Sequence, residues 1–290
     1  MEGLNNKIAV VTGGASGASG IGRAMAERFA AAGMKLVLAD IESGPLEATA
    51  KEFHENGAEV LTSITDVSDG APVDALAATT LEPYGAVHIV CNNAGVATAG
   101  PIWTMTQADW DFTIGANLWG VIHGVRAFAP TLLQQNDGHF VNTASMAGLV
   151  SMANMGAYNV TKQGVVAYTE TLFEDLRAAG SNVGASVLCP AFVRTKIWDS
   201  QRNRPESLKN AKGSEDASAG EAGKSVLRTV IENAMAPAKV ADAVHDAVVA
   251  QKLYILTHAA SRDTVAKRMG HIVAGENPTP SKANLESLQS

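Results

Sequence analysis

Short runs of apolar, often β-branched residues recur along the chain at 7–11, 35–39, 59–64, 87–91, 138–143, 183–188 and 253–256. Longer Ala-rich stretches of helical periodicity separate them, near 21–33, 43–57, 69–82, 106–135 and 155–180. The short runs are apolar at successive positions rather than at alternate ones, as in strands buried on both faces of a parallel sheet. Strands alternating with helices at this spacing predict an α/β, doubly wound parallel sheet of about seven strands, with right-handed crossovers and helices on both faces. One more helix is predicted over 259–273.

The pattern breaks between about 194 and 236, where RNRPESLKNAKGSEDASAGEAGKS is polar and shows little periodicity. Because it leaves the end of the sixth strand, where such sheets bind ligands, residues 196–236 are expected to form a mobile substrate lid rather than a linker. Residues 1–275 are expected to make one domain, and 276–290, with Pro278 and Pro280, a poorly ordered tail. A net charge of −7 argues against a general attraction to nucleic acid or to anionic membrane. No run approaches the roughly 20 apolar residues of a bilayer span. Residues 1–7 lack the basic start and apolar centre of a signal peptide, so cytoplasm is the expected compartment. Cys91 and Cys189 each fall at the end of an apolar run and are expected to be buried, unpaired thiols. The histidines at 54, 88, 123, 139, 245, 258 and 271 are scattered without ligand spacing, and no metal site is expected.

The first strand leads into Thr12-Gly13-Gly14-Ala15-Ser16-Gly17-Ala18-Ser19-Gly20-Ile21-Gly22 and then a helix. Glycines there let the chain turn sharply and bring backbone N–H groups against a pyrophosphate, and the helix N-terminus adds partial positive charge. Glycine alone marks only a turn; its place between the first strand and first helix of a βαβ unit points to a dinucleotide. Ala-Ser-Gly occurs twice in tandem, at 15–17 and 18–20. Either Gly17 or Gly20 can serve as the middle glycine. Gly20-Ile21-Gly22 is favoured as the helix start, with the extra residues bulging from the turn. Asp40, at the end of the second strand, can accept hydrogen bonds from adenosine ribose hydroxyls and would repel a 2′-phosphate, favouring NAD over NADP. It can equally cap a turn, and Arg23, just after the loop, would favour the phosphate if it reached it.

Tyr158 and Lys162 stand four residues apart in a helical stretch, on one helix face. A free tyrosine has a pKa near 10 and is a poor base, but a nearby ammonium stabilises its phenolate. In isolation the pair describes a solvated helix face better; its position after a fifth strand, 13 residues beyond Ser145, turns the reading toward chemistry. Ser145, in Asn142-Thr143-Ala144-Ser145, follows the fifth strand, where this architecture places ligand groups. Its hydroxyl can hydrogen-bond a substrate oxygen.

Together these segments resemble the short-chain dehydrogenases, a Rossmann-type family whose loop reads Thr-Gly-x-x-x-Gly-x-Gly; the loop here is three residues longer. The resemblance covers roughly residues 5–257. It implies a catalytic tetrad of Asn117, Ser145, Tyr158 and Lys162, in which Asn117 holds a water linking Lys162 to solvent. It implies that Gly13, Ser19, Gly20, Ile21 and Gly22 cradle the cofactor phosphates and that Asp40 and Ile41 meet the adenosine ribose. Asp66 and Val67 would contact adenine. Asn93, Ala94 and Gly95, in Asn92-Asn93-Ala94-Gly95, would close around the adenosine side. Tyr158 and Lys162 would also face the nicotinamide ribose. Pro190-Ala191-Phe192-Val193-Arg194-Thr195 resembles the family's Pro-Gly-x-x-x-Thr, so Pro190, Val193 and Thr195 would hold the nicotinamide, with alanine where the family has glycine.

The implied reaction is hydride transfer between NAD(H) and a secondary alcohol or ketone. Met146, Met152, Met155, Phe192 and Trp198, with Trp103 nearby, suggest an apolar substrate of moderate bulk. A lyase or isomerase of the same fold working on bound cofactor, and a non-catalytic NAD-binding protein, are the alternatives. The resemblance also implies a homotetramer, with helices near 106–135 and 155–180 pairing across one interface and the seventh strand across another.

Overall fold

The computed structural model describes residues 3–15, 20–210 and 228–278. Its strands are β1 (Ile8–Thr12), β2 (Lys35–Asp40), β3 (Val60–Ile64), β4 (Ile89–Asn92), β5 (His139–Thr143), β6 (Gly184–Cys189) and β7 (Tyr254–Leu256). All pair in parallel, in the order β3-β2-β1-β4-β5-β6-β7. The helices are α1 (Ile21–Ala31), α2 (Ser43–Glu55), α3 (Gly70–Tyr84), α4 (Gln107–Ile114), α5 (Gly120–Gln135), α6 (Gly156–Ala178), α7 (Pro237–Val249) and α8 (Ser261–Ala274).

Successive strand side chains point to opposite faces, so a strand apolar throughout feeds two cores at once. Ala9 and Val11 of β1 and Leu36 and Leu38 of β2 pack with Met25 and Phe29 of α1, Phe53 of α2 and Val244 of α7. Their neighbours Val10, Val37 and Ala39 pack with Leu76 of α3, Phe128 and Leu132 of α5 and Leu176 of α6. The predicted doubly wound sheet with helices on both faces is therefore the fold.

Three departures from the sequence expectation have physical causes. β3 and β7 lie at the edges and are not buried throughout: Ile64 is 65% exposed and Tyr254 49%. The single helix expected over 106–135 is broken. α4 starts with a reciprocal Thr106–Asp109 capping box and ends at Ile114, and α5 starts only at Gly120. A π turn, Gly115–Trp119, joins them, and such turns insert one residue into the α-helical ladder. α7, which the periodic reading passed over, opens with Pro237 in its first turn and buries Val240, Ala241, Val244, Ala247 and Val248. The terminal helix spans Ser261–Ala274 against the expected 259–273, and of the tail only residues 276–278 are described.

Cys91 and Cys189 are free and buried. Among the described residues no helix is long and apolar enough to cross a membrane.

Leu36 is fully buried in the α1/α2/α7 core. Leu36→Ala is expected to destabilise the fold by about 2–5 kcal/mol, measured by urea unfolding. A loss below about 1 kcal/mol would mean that this face is not close-packed.

Candidate active site

The strand order reverses between β1 and β4, and at such a switch point the loops leaving the two strands diverge and open a crevice. Here the crevice is a cleft of about 1400 Å³ along the carboxyl ends of the strands.

Its dinucleotide-like half is built around β1. Gly13 has φ +64°, a conformation that suits glycine, and α1 then begins at Ile21 with Gly20 as its N-cap. α1 lies so close to the loop that a Cβ on Gly22 would stand 2.2 Å from the Gly13 carbonyl oxygen. Gly20 offers no side-chain cap and the first turn carries no acidic residue, so the positive helix end meets the cleft wall formed by Gly20 and Ile21. That is a cradle fitted to a pyrophosphate. Ser19 and most of the tandem Ala-Ser-Gly lie outside the described residues.

Asp40 does more than cap a turn. Its carboxylate accepts from the Ala15 N–H at 3.0 Å and the Glu42 N–H at 3.1 Å while lining the cleft. Burial pushes its pKa up, partly offset by these backbone donors. Arg23 points elsewhere: it pairs with Glu27 at 2.9 Å and with Glu52, and is absent from the cleft wall. Ile41, Asp66, Val67, Asn93, Ala94 and Gly95 all line the same half.

The other half is built from β5, α6 and the segment after β6. Tyr158 and Lys162 rise one turn apart on α6 and are both buried. The Lys162 ammonium donates to the Thr143 carbonyl at 2.8 Å and lies 5.7 Å from the Tyr158 ring centroid. Burial holds the Tyr158 hydroxyl above its ordinary pKa, and a hydrogen bond with Ser145 acts against that rise. Burial pushes Lys162 down to about 8. The Ser145 hydroxyl accepts from the Ala147 N–H at 3.2 Å and reaches the Pro190 carbonyl at 3.5 Å. Pro190, Val193 and Thr195 complete this wall.

Asn117 is fully buried in the π turn, behind the cleft. Its side chain is committed: Oδ1 accepts from the Val96 N–H at 2.8 Å, and Nδ2 donates to the Val96 carbonyl at 2.9 Å and to the Thr161 hydroxyl at 3.2 Å. Val96 follows Gly95, so the amide ties the loop after β4 to the middle of the helical layer.

Met146, Met152, Met155, Phe192 and Trp198 line the open end, as expected. Trp103 does not; it is 84% exposed and outside the wall. The sequence reading missed the straps across this end. Ser200 accepts from the Ala97 N–H at 3.0 Å, Arg202 and Asn203 hold Glu42 at 2.8 and 2.9 Å, and buried Arg204 pairs with Asp109 at 2.8 Å. It also missed that α8 borders the cleft through Thr264, Lys267 and Arg268.

A parallel sheet with a glycine-lined helix start at its switch point and a Ser–Tyr–Lys cluster at the neighbouring strand end defines a dinucleotide-dependent oxidoreductase. The short chain dehydrogenase family matches residues 7–206, and the chain belongs to that family. It is an NAD(P)-dependent oxidoreductase. It is 31% identical over 280 residues to a CLA biosynthesis dehydrogenase/reductase of Lactiplantibacillus plantarum, covering 96% of this chain and 97% of that one. It is 34% identical over 259 residues to a 1-deoxy-11-beta-hydroxypentalenate dehydrogenase of Streptomyces avermitilis, covering 88% and 86%. Among solved structures, a short chain dehydrogenase/reductase from Burkholderia phymatum in complex with NAD superposes with TM-score 0.91 at 46% identity, over 96% of this chain and 98% of that one.

Lys162 gives the site a signature in stability. Its folded pKa of about 8 lies below its ordinary 10.5. Between those values the unfolded chain carries a proton that the folded chain has lost, so stability rises with pH across the window, by up to about 1.4 kcal/mol per pH unit. The stability of wild type relative to Lys162→Met is therefore expected to increase from pH 8 to pH 10, measured by urea unfolding at each pH. A constant difference would mean that Lys162 keeps its proton throughout.

Proposed function

We propose that the cleft binds NAD(H) in preference to NADP(H) and that Asn117, Ser145, Tyr158 and Lys162 interconvert a secondary alcohol and a ketone. The observation that carries this reading is the buried Tyr158 hydroxyl beside Ser145, with the Lys162 ammonium one turn away, at the end of a cleft whose opposite end is a glycine-lined helix start. Gly13, Gly20, Ile21 and Gly22 would hold the phosphates, Asp40 and Ile41 the adenosine ribose, Asp66 and Val67 the adenine, and Pro190, Val193 and Thr195 the nicotinamide. When bound there, the cofactor accepts or supplies the hydride.

The protein's own residues handle the proton and the oxygen. Because burial holds the Tyr158 proton in place, the hydroxyl donates it to a carbonyl oxygen in the reductive direction. In the oxidative direction Tyr158 must accept the alcohol proton as a phenolate, which a low-dielectric site tolerates only beside a positive charge. Lys162, fixed by Thr143, is that charge. Ser145 turns its hydroxyl from Pro190 to the substrate oxygen and stabilises charge developing on it. The Asn117 side chain is spent on Val96 and Thr161, so a relay water would be held by its main-chain carbonyl, in a turn whose α-helical ladder is interrupted.

Preference for NAD is supported by Asp40 in the cleft wall and by Arg23 being occupied with Glu27 and Glu52. An apolar ketone or alcohol of moderate bulk suits the Met146, Met152, Met155, Phe192 and Trp198 wall. The lid reading of 196–236 is supported, over its described residues, by the straps to Ala97, Glu42 and Asp109. Exposed Trp119, Leu133 and Val160, together with Val249 and Tyr254 near β7, suit the two interfaces of a homotetramer.

Tyr158→Phe is expected to lower turnover by about 10²–10⁴-fold, the range of general acid–base catalysis, while cofactor affinity measured by fluorescence stays nearly unchanged. Turnover close to wild type would remove Tyr158 from the mechanism. Parallel loss of cofactor binding would make its role one of binding.

A further inference from the structure

His258, two residues beyond β7, is buried behind the segment that follows β6. Its contacts select one tautomer. The Phe192 carbonyl, 3.1 Å from Nε2, can only accept, so Nε2 carries the proton. The Ala191 N–H, 3.4 Å from Nδ1, can only donate, so Nδ1 is bare. The Thr257 hydroxyl, 2.8 Å from Nδ1, is then a second donor to it. Both ring nitrogens are used and the ring is neutral, in keeping with burial that lowers its pKa. One side chain thus grips the N–H of residue 191 and the C=O of residue 192, as a neighbouring strand would.

The gripped segment is held at both ends as well. The Met146 N–H donates to the Pro190 carbonyl at 2.9 Å, and Val193 bridges to Met235, whose carbonyl accepts from the Arg194 N–H at 2.9 Å. Residues 190–193 all line the cleft. Ala191 sits where the short-chain dehydrogenases carry glycine, and its φ is not positive, so the backbone needs no glycine there.

We propose that His258 is a positioning residue for the nicotinamide end of the cofactor, clamping Ala191 and Phe192 so that Val193 and Thr195 are presented to the ring. The inference rests on the reading of residues 190–195 as the nicotinamide-binding segment. It also links cofactor to substrate, because the Pro190 carbonyl at the head of the clamped segment is the one that Ser145 reaches.

The test compares two ligands in the full chain: the reduced dinucleotide that wild type binds more tightly, and the matching ADP-ribose, which lacks nicotinamide. His258→Leu removes the donor and the acceptor. It is expected to weaken dinucleotide binding about tenfold, the value of one or two hydrogen bonds, with ADP-ribose affinity within about twofold of wild type. His258→Gln, which keeps a donor for Phe192, should recover part of the loss. Equal weakening of both ligands, or of neither, overturns the inference. If His258→Leu does not fold, Thr257→Val, which removes only the hydroxyl held by Nδ1, must separate the ligands in the same direction by a smaller factor, and no separation overturns the inference. Thr195→Val is the control for the underlying reading. If it separates the two ligands and His258→Leu does not, only the His258 role falls. If neither does, the assignment of 190–195 falls and takes the inference with it.

Discussion

The Thr12 hydroxyl is the point on which the two halves of the site depend. It accepts from the Asn93 N–H at 2.9 Å and the Ala94 N–H at 3.1 Å and donates to the Cys91 carbonyl at 3.3 Å. A hydroxyl has one donor and two acceptor positions, so this one is fully used. It locks the end of β1 to the end of β4 at the place where the strand order reverses. The Asn93 amide adds a bond to the Thr12 carbonyl at 3.0 Å. From this knot the glycine loop runs one way to α1, and the chain beyond Gly95 runs the other way to Asn117. The Asn117 side chain reaches Thr161 on α6, beside Lys162, whose ammonium returns to the end of β5 at Thr143. The phosphate cradle and the tyrosine are thus parts of one hydrogen-bonded frame at the carboxyl edge of a sheet buried on both faces.

Two features of the frame oppose folding and support the proposed catalytic reading. Lys162 is 3% exposed, and its ammonium donates to the neutral Thr143 carbonyl rather than to a carboxylate. Burying an ammonium away from a carboxylate opposes folding, and the same desolvation lowers its pKa. Tyr158 is buried beside it with its proton held more tightly than in water. Perturbed groups facing each other in a cleft mark a candidate functional site, and here the two shifts diverge: the lysine falls from 10.5 to about 8 while the tyrosine rises above its ordinary 10.

The sheet was readable because each central strand is apolar at consecutive positions, a pattern that only double-sided burial demands. The same rule failed at β3, where Ile64 keeps the apolar identity but one flank of the strand is open to solvent. The π turn was not readable from periodicity, since Gly115 and Gly120 mark only a weak point; the tight packing there, where a Cβ on Gly120 would meet Val67 at 2.8 Å, is a tertiary contact that spacing does not reveal. Motif residues with fixed local spacing, such as Tyr158 with Lys162 or Gly20 with Gly22, fell in the cleft region because short-range geometry places them. Glu42 with Arg202, Asp109 with Arg204 and His258 with Phe192 were not legible, because each pair is far apart in the chain and meets only after the sheet has formed. Trp103 shows the converse: an aromatic residue near the site in sequence that ends on the surface.

The proposed preference for NAD rests on Asp40 and on the uncapped start of α1, which together would make this cleft a receptor for NAD despite the lengthened loop. Separate titrations of the purified protein with NADH and NADPH, followed by cofactor fluorescence, test it most directly. The account predicts tight binding of NADH and weak binding of NADPH, because the 2′-phosphate would meet the Asp40 carboxylate with Arg23 already engaged. Equal or tighter binding of NADPH would contradict it, and would mean that the loop brings a cation to the ribose that outweighs Asp40.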